Sequence, residues 1–242
     1  EKGYTINPVK GLCPMACRDN QGREYCYARR MYKRFYWNPE IRFDVQPLLD
    51  ISKIKKPSRI FVGSTIELFG KWVDAFWLDS MFKTVKDNTQ HTFIFLTKRP
   101  EELRRWSPFP ENCWIGVSAT SHNELAERWE ILKQVRASVK FVSLEPLLNW
   151  ADSAHSRIYQ EGIATSGIQW VIIGQQTPIK KAIMPKTIWI DEIVEACDKV
   201  GIPIFIKNNM KPLVKTPMGI LRSKWWSIKN NELILRQEYP VV

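Results

Sequence analysis

No run of about 18 or more apolar residues occurs in this sequence, so no membrane-spanning helix is expected. Glu1 to Lys10 carry no apolar h-region, so no secretory signal is expected either, and a reducing cytoplasm is the expected compartment. The chain opens on Glu1 rather than Met, and a short preceding piece is expected. Cysteine is scarce: five in 242 residues, with three of them between positions 13 and 26. Disulfide scaffolds are small, secreted and evenly stapled, and this chain is none of these. Histidine is scarcer still, with only His91, His122 and His155, none close in sequence to the clustered cysteines. Internal repeats and low-complexity tracts are absent.

What is present suits one large α/β domain. The hydrophobic share is 44%, with 11 Trp and 11 Phe, enough to fill a core and to exclude disorder over most of the length. The net charge of +11 is uneven: residues 1–60 hold thirteen Lys/Arg against six Asp/Glu, residues 207–242 seven against two, and the middle sixteen against seventeen. Two basic ends point to an anionic partner near where they meet, the alternative being a solvated surface that serves solubility.

Near-continuous apolar runs at Arg59–Gly63, Thr92–Thr97, Cys113–Ser118, Val139–Leu144, Trp170–Gly174 and Ile202–Ile206 predict parallel strands buried on both faces. Tyr4–Ile6 adds a strand before the cysteines. Helical spacing of apolar residues predicts helices over Arg23–Phe35, Val73–Val85, Leu125–Val135 and Ile190–Cys197, the last just after Pro185. The alternation predicts an α/β fold of mostly parallel strands, a full or partial (β/α) TIM-type barrel with the cysteine loop after the first strand. Residues 151–167 are expected as an inserted loop. The expected division is a barrel domain over 1–206 and a basic, Trp-containing extension over 207–242 packed on it, closed by a hairpin around Asn230-Asn231.

Cys13, Cys17 and Cys26 lie in a loop between the first strand and the first strong helix. Thiolates are soft ligands for zinc or iron–sulfur clusters. Three without a fourth fit a four-iron cluster with one open iron. Two alternatives stay open: a zinc knot completed by a distant histidine, and free thiols without metal. Cys113 and Cys197 sit in apolar segments and are expected as ordinary buried thiols.

Two cysteines three residues apart, then a third preceded by an aromatic, resemble the radical-SAM signature. The usual interval from second to third cysteine is two residues, and here it is eight, Arg18 to Tyr25. Further segments recur in order: Asn7-Pro8, Phe61-Val62-Gly63-Ser64, Leu96-Thr97-Lys98-Arg99-Pro100, Trp114-Ile115-Gly116-Val117-Ser118, Ser143-Leu144-Glu145-Pro146-Leu147-Leu148 and Trp170-Val171-Ile172-Ile173-Gly174. Together they resemble a poorly characterised, often phage-encoded three-cysteine family related to radical-SAM enzymes and distantly similar to spore photoproduct lyase. The resemblance covers roughly residues 5–209. It implies a partial barrel, a [4Fe-4S] cluster on the three cysteines, S-adenosylmethionine cleaved reductively to a 5′-deoxyadenosyl radical, and an electron donor such as flavodoxin or ferredoxin. It supplies no substrate. The basic ends favour a nucleic acid, modified or repaired, with a peptide as the alternative. A different class of function, a non-catalytic nucleic-acid-binding protein with a zinc or iron–sulfur clip, also stays open.

The resemblance also places residues. Ser64 and Thr65, after Gly63, would hold the cofactor's amino group, with a plain turn as the alternative. Ser118 and Thr120 would meet its ribose. Gly174 and Gln175 would face the cofactor, although Gly174-Gln175-Gln176-Thr177-Pro178 stands where relatives carry Gly-Gly-Glu-Ser-Gly and a carboxylate is lost. Lys98, with Arg99 beside it, is a catalytic candidate at a strand end, where either would meet the cofactor's carboxylate or a substrate phosphate; a surface role is the alternative. Glu145 is the second, because a carboxylate ending an apolar strand needs a partner; an ion pair with a neighbouring base is its alternative. Lys207 ends the last strand. In the tail, Lys211, Lys215, Lys224 and Trp225 interleave bases with an aromatic, as a nucleic-acid contact would; tryptophans packed on the barrel are the alternative.

Overall fold

A computed structural model of the chain describes residues 3–150, 162, 167–178, 183–214, 223–230 and 232–241. It divides into two compact units, Glu1–Val117 with Val135–Ser138, and Ser118–Gln134 with Val139–Val242.

In the first unit, β1 (Gly3–Ile6) is followed by a two-residue antiparallel ribbon, β2 (Val9–Lys10) with β3 (Arg42–Phe43). Between the ribbon's strands lie the cysteine loop and α1 (Tyr27–Phe35). The short α2 (Gln46–Leu49) leads to β4 (Arg59–Val62), α3 (Ala75–Asp87), β5 (Thr92–Thr97), α4 (Leu103–Trp106) and β6 (Cys113–Ala119). β1 pairs with β4, β4 with β5 and β5 with β6, all parallel. Asp74 starts α3 by accepting from the Phe76 N–H, which moves the start past the expected Val73. α3 buries Leu78, Met81, Phe82 and Val85, and the Phe82 ring meets Phe95 of β5 at 5.3 Å.

The second unit holds α5 (His122–Leu132), β7 (Val139–Leu144), β8 (Trp170–Ile173), α6 (Thr187–Val200) and β9 (Ile204–Ile206). β7, β8 and β9 pair in parallel. Gly201, at φ +70, ends α6 in the left-handed conformation that glycine adopts without strain. β10 (Trp226–Lys229) and β11 (Glu232–Leu235) form the expected hairpin, with Asn230 at φ 52 in its turn. Residues 236–238 then bond to β9, Ile206 N–H to Arg236 O and Glu238 N–H to Ile204 O. Asn231, Lys215 and most of the expected 151–167 insertion lie outside the described residues.

The sheet order β1-β4-β5-β6-β7-β8-β9, with helices between parallel strands, is that of a partial (β/α) barrel, so of the two expected forms the full barrel is set aside. Each apolar run became a strand, and β6 is buried along its whole length. Cys113 and Cys197 are fully buried, and burial pushes both thiols up to about 12, as inert core cysteines.

Candidate functional site

The cysteine loop begins where β2 ends. Gly11 has φ +124, and a Cβ there would fall 2.6 Å from the Ile41 backbone, so only glycine fits. Its N–H donates to the Tyr32 hydroxyl of α1 at 2.7 Å. The long interval between Cys17 and Cys26 folds as a small closed turn. Asp19 Oδ1 accepts from the Gln21 and Arg23 N–H groups, each at 2.9 Å, and Tyr25 N–H donates to Cys17 O at 3.1 Å. The turn returns the chain beside Cys17, so Cys26 reaches its neighbour despite the extra residues. Because residues 19–25 serve this turn, α1 starts at Tyr27 rather than at the expected Arg23.

Cys26 occupies the N-cap of α1. The neighbouring Cys17 thiol, and against opposing burial the Arg29 and Ala28 N–H groups and the Lys98 ammonium, hold Cys26 down to about 6. Its neighbour Cys26 and burial raise Cys17. Burial raises Cys13, against N–H groups of Glu67 and Met15 that favour its thiolate. Lys98 Nζ lies 3.5 Å from Cys17 Sγ and 3.2 Å from the Tyr25 hydroxyl, and 4.9 Å above the Tyr25 ring. Burial opposes its charge, but the facing Tyr25 and Cys17 outweigh it, so Lys98 stays a cation.

Two residues that sequence reasoning missed hold this arrangement. Glu67 is buried, and its carboxylate accepts from Thr97 Oγ1 at 2.6 Å, Lys98 N–H at 2.8 Å and Phe69 N–H at 3.1 Å. Burial pushes its pKa up, opposed by these three donors. A carboxylate inside the apolar stretch Ile66–Phe69 was the available signal. Glu67→Ala leaves buried donors unmet at about 1–3 kcal/mol each, so chemical denaturation is expected to show a clear loss of stability, with Glu67→Gln recovering most of it. Equal stability of Glu67→Ala and wild type would remove Glu67 from this role. The second is Asn7, whose Oδ1 accepts from Ser64 N–H at 2.8 Å, Ser64 Oγ at 3.1 Å, and Thr65 N–H and Oγ1 at 3.3 Å each. One carbonyl has two lone pairs and cannot serve four donors at once. Tyr27 donates its hydroxyl to Ser64 O.

The second unit gathers the other expected residues at the carboxyl ends of its strands. Lys207 Nζ donates to Glu145 Oε2 at 2.5 Å, the ion pair weighed as the alternative for Glu145. Gly174 lies against this carboxylate, where a Cβ would sit 2.9 Å from Glu145 Oε1. Gln175 and Asn209 exchange hydrogen bonds, Asn209 Nδ2 to Gln175 O at 2.9 Å and Gln175 Nε2 to Asn209 O. Ser118 is buried and donates to Glu145 O at 3.3 Å. The Thr120 hydroxyl donates to Glu124 at 3.0 Å, as part of the cap that starts α5 at Ser121.

The tail departs from expectation at two residues. Trp225 is 2% exposed, so no base can stack on it. Lys224 pairs with Glu195 of α6 at 2.5 Å. Lys211 is exposed.

Among the described residues, no three or more His, Cys, Asp and Glu converge to hold a single metal ion. Thiolates of a four-iron cluster sit on separate irons and need no such convergence. His91 immediately precedes β5, at the strand ends opposite the cysteine loop, which removes it as a fourth zinc ligand.

Comparison with known proteins follows the same lines. A family described as "Protein of unknown function (DUF5131)" matches residues 3–215. No curated protein matches the sequence. A solved structure of a spore photoproduct lyase mutant with bound AdoMet and dinucleoside spore photoproduct is similar, with a TM-score of 0.57 and 12% identity over 84% of this chain and 75% of that one. Likeness at that identity shows a shared fold, a partial (β/α) barrel.

Proposed function

The chain belongs to the DUF5131 family of proteins of unknown function, and from that premise we propose that it is a radical-SAM-type iron–sulfur enzyme acting on a nucleic acid. The observation that carries this is the loop after β2: Cys13, Cys17 and Cys26 as electrostatic neighbours, Cys26 at a helix N-terminus and Lys98 Nζ 3.5 Å from Cys17 Sγ. The donor set fits the group, being three thiols free of disulfides, one already depressed into the thiolate range. Cys13, Cys17 and Cys26 would hold a [4Fe-4S] cluster. With S-adenosylmethionine on its open iron, the cluster would supply reductive cleavage to a 5′-deoxyadenosyl radical, at the expense of an electron from a flavodoxin- or ferredoxin-like donor.

The chain's own residues bind and orient. Lys98 would offset the charge that Cys17 takes on as a cluster ligand, and Glu67 fixes Lys98 through its backbone N–H. Ser64 and Thr65, sharing one Asn7 oxygen, keep donor capacity for a ligand's polar groups. In the second unit the candidates are Ser118, Thr120, Gly174 and Gln175 for the cofactor and Glu145 for the substrate. Support for a nucleic acid comes from the charge of +11 and from the dinucleoside bound to the similar lyase. Anaerobically purified chain is expected to be brown, with a broad visible absorption and iron matched by acid-labile sulfide. Colourless protein carrying zinc would overturn this in favour of a structural clip.

A further inference from the structure

With Trp225 inside, three consecutive exposed aromatic side chains of the first unit stand at the far end of α1, apart from Tyr27 at its near end and Phe76 of α3. Phe35 is 50% exposed, Tyr36 93% and Trp37 41%. They form a braced platform: the Trp37 ring stands edge-on to Tyr32 at 5.3 Å and stacks on Phe35 at 5.8 Å with a 23° interplanar angle. Tyr32 in turn is tied to the Gly11 N–H. Consecutive large rings left in water mark an interaction site.

Tyr36 adds a second observation. It ends α1 at φ 52, ψ 39, with its N–H donating to Tyr32 O. This left-handed cap favours glycine or asparagine, and a bulky aromatic there is uncommon and strained. Stability alone would select glycine, so the side chain itself has a use. The surroundings are cationic. From Tyr27 to Arg42 the sequence holds five bases and one acid, Glu40; Glu24 pairs with Arg29 at 3.7 Å and Lys33 at 3.6 Å, and the Arg34 guanidinium lies 5.3 Å over the Phe35 ring.

We propose that this end of α1 is a base-stacking site for single-stranded nucleic acid. Unstacked bases offer a π-face to Tyr36 and Trp37, and phosphates meet Arg34 and Lys33. Duplex bases are already stacked and offer no free face. The site deepens the function proposed above, and as a substrate site it rests on that reading. Cys26 caps the other end of the same helix, which spans roughly 14 Å at 1.5 Å per residue.

The test is fluorescence anisotropy of a labelled oligodeoxythymidine with the full chain, without added cofactor and at several salt concentrations. Tyr36→Gly is expected to weaken binding about five- to 150-fold, the range of one lost stacking contact, while the melting temperature stays level or rises as backbone strain is relieved. Arg34→Gln should flatten the salt slope by about one. Unchanged affinity in Tyr36→Gly overturns the proposal, as does wild-type protein that binds duplex, heparin or anionic vesicles as well as it binds the single strand. Release of 5′-deoxyadenosine in the absence of substrate does not involve Tyr36. If it persists while oligonucleotide binding fails, only this surface falls; if it is absent while binding holds, the cofactor assignment falls instead.

Discussion

Anaerobic reconstitution of Cys13→Ala, Cys17→Ala or Cys26→Ala is expected to yield a chain without its iron–sulfur centre, while Cys113→Ala and Cys197→Ala keep theirs. The contrast follows from environment. Each of the first three lies in the loop after β2 and is held by a neighbour of that loop: Cys13 by the Glu67 and Met15 N–H groups, Cys17 by Lys98, Cys26 by α1. A cluster held by these three thiolates would have no spare ligand, so any one loss would expose an iron. Cys113 and Cys197 are buried thiols pushed up to about 12, inert toward metal at neutral pH. Iron and sulfide per chain, measured beside a melting curve, distinguish the sets. Full iron and sulfide in any of the loop variants would remove that cysteine from the ligand set.

Trp225→Ala is expected to destabilise the second unit by about 3–5 kcal/mol, the usual cost of emptying a buried tryptophan site, without touching nucleic-acid affinity in the folded fraction. Its indole is enclosed, and its backbone O accepts from Arg236 N–H at 2.9 Å. Removal of the side chain therefore leaves a cavity. Urea unfolding followed by circular dichroism gives the loss. Wild-type stability combined with weakened oligonucleotide binding would restore Trp225 as a stacking residue.

The strands were legible because parallel strands buried on both faces must be apolar throughout, and each such run became one. The cysteine loop was legible from spacing, and Lys98 from its position at a strand end. What sequence reasoning missed depends on distant partners. Asn7 acts through Ser64, 57 residues away, and Glu67 through Thr97, 30 residues away. Neither a lone asparagine nor a lone glutamate has periodicity to betray it. The two-residue strands β2 and β3 are too short to carry a pattern. Lys224-Trp225-Trp226 was ambiguous in principle: bases beside aromatics fit both a stacking surface and a strand entry whose rings turn inward. Burial decides between them for Trp225. Of the aromatic run Phe35-Tyr36-Trp37 only Phe35 fell in the expected helix, and only the backbone angle of Tyr36 shows that its exposure costs stability.

The most direct measurement is chromatography of the reconstituted, dithionite-reduced chain after anaerobic incubation with S-adenosylmethionine. Slow release of 5′-deoxyadenosine and methionine without any substrate, lost in Cys17→Ala, is the expected result. Absence of 5′-deoxyadenosine from a sample with full iron and sulfide would contradict the radical chemistry and leave the cysteines a structural role.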